Sequence, residues 1–90
     1  MQKHTKIYFD FFGVDYDPVT GWHDCVSEIS GLPAVDIHHI ISRGRGGDNS
    51  IMNLMAVTRE EHIKYGDKPK YDDWLKEIHI KHIHNAIGEY

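Results

Sequence analysis

The chain has 90 residues, with 10 Lys and Arg against 14 Asp and Glu, eight His, a single Cys and a net charge of −4 with histidine neutral. The length excludes more than one domain, a lone cysteine excludes an internal disulfide, and no apolar run approaches the ~20 residues of a membrane span. The acidic balance excludes bulk positive charge as a way of holding nucleic acid, so any such contact would rest on local cationic groups or a bound cation.

At the N-terminus, Met1-Gln2-Lys3-His4 lacks the apolar core of a secretory signal. With one thiol in the whole chain, a soluble, cytoplasmic protein with no membrane partner is expected. Residues 3–12 are dense in aromatics: Tyr8, Phe9, Phe11 and Phe12. Ile7, Phe9 and Phe11 alternate as in a strand, whereas Ile7, Tyr8, Phe11 and Phe12 share a helical face. Gly13 looks like a helix C-cap and tips the reading to a short helix whose aromatics fill the core.

Residues 14–24, with Asp15, Asp17-Pro18 and Gly21, show no sustained pattern and read as loop. Residues 25–32 are short and mixed in polarity. Val35, Ile37, Ile40 and Ile41 give 34–41 the β-branched character of a strand. Residues 44–49 are rich in turn formers and read as a hairpin loop. Met52, Leu54, Met55 and Val57 make 51–57 a short second strand. Thr58 then caps a helix, with Glu61 completing a capping box. That helix carries His62 near its start and ends at Gly66.

After Pro69, a last helix spans about 71–87. Tyr71, Trp74, Leu75 and Ile78 lie on one face, and Ile80, Ile83 and Ile87 on nearly the opposite face. Either the helix crosses the domain, buried first on one side and then on the other, or one face serves a homodimer. Trp22 and Trp74 are expected in the core, and His79, His82 and His84 at the surface or an interface. The fold class is α+β, a single small domain over 1–90. It is built on a strand–loop–strand–helix unit at about 34–67, with an N-terminal segment and a C-terminal helix.

Within that unit sit Asp36, the adjacent pair His38-His39, Arg43 and Arg45 on the loop, Asn53, and His62 nine residues later. Neighbours on a regular strand point to opposite faces, so His38 and His39 cannot share one role. His62, at the helix start, can meet His38 across the unit. Imidazole suits both proton transfer near neutral pH and metal ligation. These are the two tasks that phosphodiester hydrolysis sets, because water must be activated and charge on phosphorus neutralised.

The order His38-His39-Ile40, Gly46-Gly47, Asn53-Leu54 and then His62 resembles the HNH endonuclease family, in particular colicin-type nuclease domains and small phage HNH proteins. The resemblance is strong over 34–67. It implies a ββα-metal fold and metal-dependent cleavage or nicking of DNA in a bacterium or phage-infected cell. It implies His39 as general base, and Asn53 as the residue that braces the hairpin and orients His39. His38 and His62 become metal ligands, with Asp36 and Asp67 as supporting carboxylates or further ligands. Arg43 and Arg45 would grip phosphates. One divalent ion is implied, Mg²⁺ or Mn²⁺, with Zn²⁺ or Ni²⁺ as softer alternatives.

Two departures from the family pattern stand out. Relatives with a structural zinc hold it with two Cys-x-x-Cys pairs, where this chain has Ser27 and Ser30, and Thr58 and Glu61, so no structural zinc is expected. Colicin-type domains add a third histidine four residues after the distal one, where this chain has Gly66. The alternative reading is an inactive module that keeps the fold and binds DNA or another partner.

Overall fold

Short β-branched runs on either side of a glycine-rich loop form a two-stranded antiparallel sheet. In the computed structural model, which describes residues 1–88, Asp36–His39 (β1) pairs with Leu54–Val57 (β2). His38 stands opposite Met55 and His39 opposite Leu54. The ladder is shorter than the β-branched pattern over 34–41 predicts. Beyond His39, the Asn53 side chain replaces it: its Oδ1 accepts from the Ile41 N–H at 2.8 Å and its Nδ2 donates to the Ile41 carbonyl at 3.0 Å. Likewise β2 begins only at Leu54, because Ile51–Asn53 coils into a 3-10 turn.

Alternation along the strands serves two cores. Ile40, Met55 and Val57 pack with Leu75. Leu54 and Ala56 pack on the other face with Tyr8, Phe9, Cys25 and Ala34. All four residues of β2 are therefore buried, which is why that segment is a continuous apolar run. The second of these cores is roofed by Lys3–Phe12 (α1), so the helical reading of this segment holds. Gly13 closes α1 at φ 66°, a left-handed conformation that favours glycine, and its N–H bonds to the Phe9 carbonyl. Residues 14–35 then wrap as turns, held by bridges between Tyr16 and His23 and between Val26 and Pro33.

Arg59–Tyr65 (α2) follows β2 directly. The capping box forms as the sequence predicts: Thr58 Oγ1 accepts from the Glu61 N–H at 3.1 Å and Glu61 Oε1 from the Thr58 N–H at 2.8 Å. The same Glu61 oxygen also accepts from the buried Ser27 hydroxyl, and Ser27 Oγ accepts from the Ser30 N–H at 3.2 Å. Ser27, Ser30, Thr58 and Glu61 thus converge as one hydrogen-bonded cluster that ties the 27–30 turn to α2.

Asp72–Ile87 (α3) follows a 3-10 turn at Pro69–Tyr71. It buries one stripe, Leu75, His79 and Ile83, spaced four residues apart. Two expectations are corrected here. Ile80 and Ile87 are exposed, so the helix is not buried first on one face and then on the other. His79 is not a surface histidine but fully buried. Its Nδ1 donates to the Glu28 carboxylate at 2.9 Å and its Nε2 to the Ile51 carbonyl at 2.6 Å. Both ring nitrogens are thereby engaged, one by the carboxylate and one by the carbonyl. Tyr8 Oη donates to the same carboxylate at 2.6 Å, and burial, followed by the Glu28 charge, pushes its pKa far up.

Trp22 and Trp74 are likewise exposed, at 58% and 42%, rather than core. Trp22 lies on an exposed turn, and Trp74 meets Tyr65 edge-on. No helix among the described residues is long and apolar enough to cross a membrane.

Candidate active site

β1 is paired on one edge only. Residues 35–39 line a cleft together with His4 and Thr5 from α1, His62 from α2, and Arg43 and Asp67 from loops. The open edge explains how adjacent histidines from opposite faces share one cleft. His38 sits on the α2 side and His39 on the α1 side.

The His38 and His62 rings lie 4.7 Å apart, centroid to centroid. His38 is only 5% exposed. Its Nε2 is the one buried side-chain polar atom among the described residues without a hydrogen-bond partner. Burial first, then the neighbouring His62 and His39, push its pKa down to about 4. At neutral pH the ring is therefore uncharged. A buried neutral imidazole with an unsatisfied nitrogen calls for a partner that the protein does not supply.

His62 is held from behind. Its Nδ1 donates to Asp36 Oδ2 at 3.0 Å, which leaves the lone pair on Nε2. Arg59 in turn grips the Asp36 carboxylate through Nε at 2.9 Å and Nη2 at 3.0 Å. Burial works against that carboxylate, but the hydrogen bonds from His62 and Arg59 outweigh it and hold its pKa below the ordinary value.

Gly66 completes the pocket by having no side chain. A Cβ there would stand 2.3 Å from the His62 carbonyl oxygen, 2.5 Å from His62 Cδ2 and 3.3 Å from His38 Cε1. Gly66 ends α2 as expected, yet with φ −70° it is not a left-handed cap. The positive φ, 53°, falls to Asp67 instead. Glycine is needed at 66 for close approach to the two imidazoles.

His39 is oriented separately. Its Nε2 donates to Asn49 Oδ1 at 2.8 Å, so the lone pair lies on Nδ1. Its other neighbour is the His4 ring, with centroids 4.6 Å apart. Burial, then His39, hold the His4 pKa below its ordinary value. The amide that reaches His39 is thus Asn49, not Asn53. Asn53 is buried beneath the loop, where Nδ2 donates to the Asp48 carbonyl at 2.9 Å as well as to Ile41. It braces the hairpin and does not touch His39.

The two loop arginines part company. Arg43 is exposed and lines the cleft. Arg45 is turned to the N-terminus of α3, donating to Asp72 at 2.9 and 3.3 Å and pairing with Asp67 at 3.4 Å. Its expected grip on phosphate is corrected accordingly, because its donors are already engaged. Asp67 reaches the cleft but shares its carboxylate with Arg45.

Sequence reading missed His4, Asn49 and Arg59. Arg59 had a signal, since it stands three residues before His62 on the same helix. His4 and Asn49 had none, because tertiary approach alone brings them to His39. Among the described residues no three His, Cys, Asp or Glu converge tightly enough to hold a metal ion. His38 and His62 still fit a metal as a pair of adjacent imidazoles, one of them with an orphaned nitrogen. An ion held there would take its remaining ligands from water or substrate. No protein-family model, curated protein or solved structure matches the chain.

Proposed function

We propose that the chain is a metal-dependent endonuclease of the HNH, or ββα-metal, type that hydrolyses or nicks DNA. The observation that carries the reading is the orphaned Nε2 of buried, neutral His38 beside His62, in a cleft that also holds an independently oriented third imidazole. His62 and His39 each keep one nitrogen in a different bond. His62 is fixed by Asp36 and His39 by Asn49, so one is suited to ligation and the other to proton transfer.

In this reading His39 Nδ1 takes a proton from water as Nε2–H stays bonded to Asn49, so the ring charges without turning. Arg43 lies in the same cleft and draws the phosphodiester to it. His38 and His62 would hold a divalent ion, Mg²⁺ or Mn²⁺, with Zn²⁺ or Ni²⁺ as softer alternatives. When bound, such an ion supplies positive charge at the phosphate and the leaving oxygen. A homodimer through α3 would use the exposed Ile80 and Ile87, seven residues apart on one face.

The test is incubation of supercoiled plasmid with the pure protein and each of Mg²⁺, Mn²⁺, Ni²⁺ and Zn²⁺, beside His39→Ala and an EDTA control. Metal-dependent nicking that disappears in the variant is expected. DNA binding without cleavage under any metal would favour the second reading, a binding module of the same fold. The lack of a third convergent ligand is the observation on its side.

A further inference from the structure

A second hollow, more apolar than the cleft, opens on the far side of a shared wall. Gln2, Thr5, Val35 and Ile37 line both. Beyond them the hollow is lined by Phe9, Pro18 and His23. The Phe9 and His23 rings lie 5.0 Å apart, centroid to centroid. His23 Nδ1 accepts from the Cys25 N–H at 3.2 Å, which places the ring proton on Nε2 as a donor. Apolar and aromatic walls with a few hydrogen-bonding groups suit a flat heterocycle. The Gln2 amide, the Thr5 hydroxyl and His23 Nε2–H are groups that can address the polar edge of such a ring.

A ligand that spans both hollows must be anionic at one end, near Arg43, and planar and apolar at the other. We infer that the second hollow is a nucleobase subsite, which takes one unpaired base of the substrate while the adjoining phosphate lies beside His39 and Arg43. The inference rests on the nuclease reading and narrows its substrate class. A base stacked and paired within a duplex must leave the helix to enter a walled hollow, whereas single strands, bulges and mismatches offer one already freed. The chain therefore prefers single-stranded or distorted DNA over perfect duplex.

The test titrates the isotopically labelled, metal-free chain, followed by NMR, with inorganic phosphate, 2-deoxyribose 5-phosphate and thymidine 5′-monophosphate. The expected result is that all three shift His39 and Arg43, while only the nucleotide shifts Phe9 and His23. The nucleotide should bind roughly ten-fold or more tightly than the sugar phosphate, the scale that base–aromatic stacking gives. His23→Ala should narrow that ratio and leave the response to phosphate unchanged.

Equal affinity for nucleotide and sugar phosphate, with Phe9 and His23 silent, would overturn the subsite and leave the nuclease reading standing. Shifts at Phe9 and His23 with none at His39 or Arg43 would keep a base site and overturn the phosphate cleft. No response to any probe would overturn both.

Discussion

His79 and His62 each donate through Nδ1 to a carboxylate, at 2.9 Å to Glu28 and at 3.0 Å to Asp36. What differs is the second nitrogen and the depth. His79 and Glu28 have fully buried side chains, and the remaining His79 nitrogen donates to the Ile51 carbonyl. The His62 side chain is 41% exposed, and its second nitrogen stays open beside His38. A histidine with both nitrogens satisfied staples the fold. One with a single nitrogen anchored is oriented for something that comes from outside. Residue type and a carboxylate partner therefore do not separate structure from chemistry, and the fate of the second nitrogen does.

Removing His79 should give the largest effect. His79→Leu leaves the Glu28 charge buried without its partner, at a cost of about 3–5 kcal/mol. Urea unfolding by circular dichroism would measure it. A loss below ~1 kcal/mol would show that the pair is not the staple described. His62→Ala should cost little stability, since its hydrogen bond to Asp36 is partly exposed, while removing one side of the proposed metal site.

Next in size is activity. His39→Ala is expected to lower plasmid nicking by ~10²–10⁴-fold with an unchanged unfolding midpoint. Asn49→Ala should lower nicking less, whereas Asn53→Ala should act mainly by loosening the loop and so lower the midpoint too. Equal stability losses in all three variants would dissolve the distinction between the orienting and the bracing amide.

Asp36→Ala frees the His62 ring and should weaken Ni²⁺ or Zn²⁺ binding ~10–100-fold by isothermal titration. Gly66→Ala should do so from the opposite side, because its methyl would occupy the space of the His62 ring. Retained affinity in both would place the metal elsewhere.

Folding lowers the His38 pKa from an ordinary 6.5 to about 4. As pH drops, the unfolded chain takes up this proton first. The contribution is thus fully present above pH 6.5 and is lost as pH falls from 6.5 towards 4. Urea midpoints of the EDTA-treated chain at pH 7 and 5 would show the loss, and His38→Gln should shrink it.

The smallest effects concern the arginines. Arg43→Ala should reduce the salt slope of DNA binding by about one phosphate. Arg45→Ala should leave the slope alone and cost up to ~1 kcal/mol of stability.

Much of this was legible in the chain because local chemistry encodes it. Gly13 announces the end of α1, and Thr58 with Glu61 announces the start of α2. The β-branched runs on either side of the glycine loop announce the hairpin. What stayed hidden depends on long-range pairing. The buried stripe of α3 has a histidine at its centre, so apolar periodicity points to the wrong faces. His79 enters that stripe because Glu28, 51 residues earlier, meets it. The adjacent histidines, Asp36 and Arg43 are brought to one cleft by the open edge of β1. Asn49 takes the place expected of Asn53 because the loop folds back on itself, which no residue spacing records. Trp22 and Trp74 show that large aromatics need not be core when smaller side chains already fill it.

The Glu61 carboxylate joins Thr58, at the foot of α2, to Ser27, which lies 34 residues before Glu61. A seven-residue helix is too short to persist alone in water. The segment that carries His62 therefore acquires its helical shape and its orientation only when the 27–30 turn docks. Formation of the cleft is tied to this non-local closure as well as to the hairpin. An excised peptide covering 34–67 would contain most residues of the cleft and assemble none of it, and amide exchange in α2 should track global unfolding instead of local fraying.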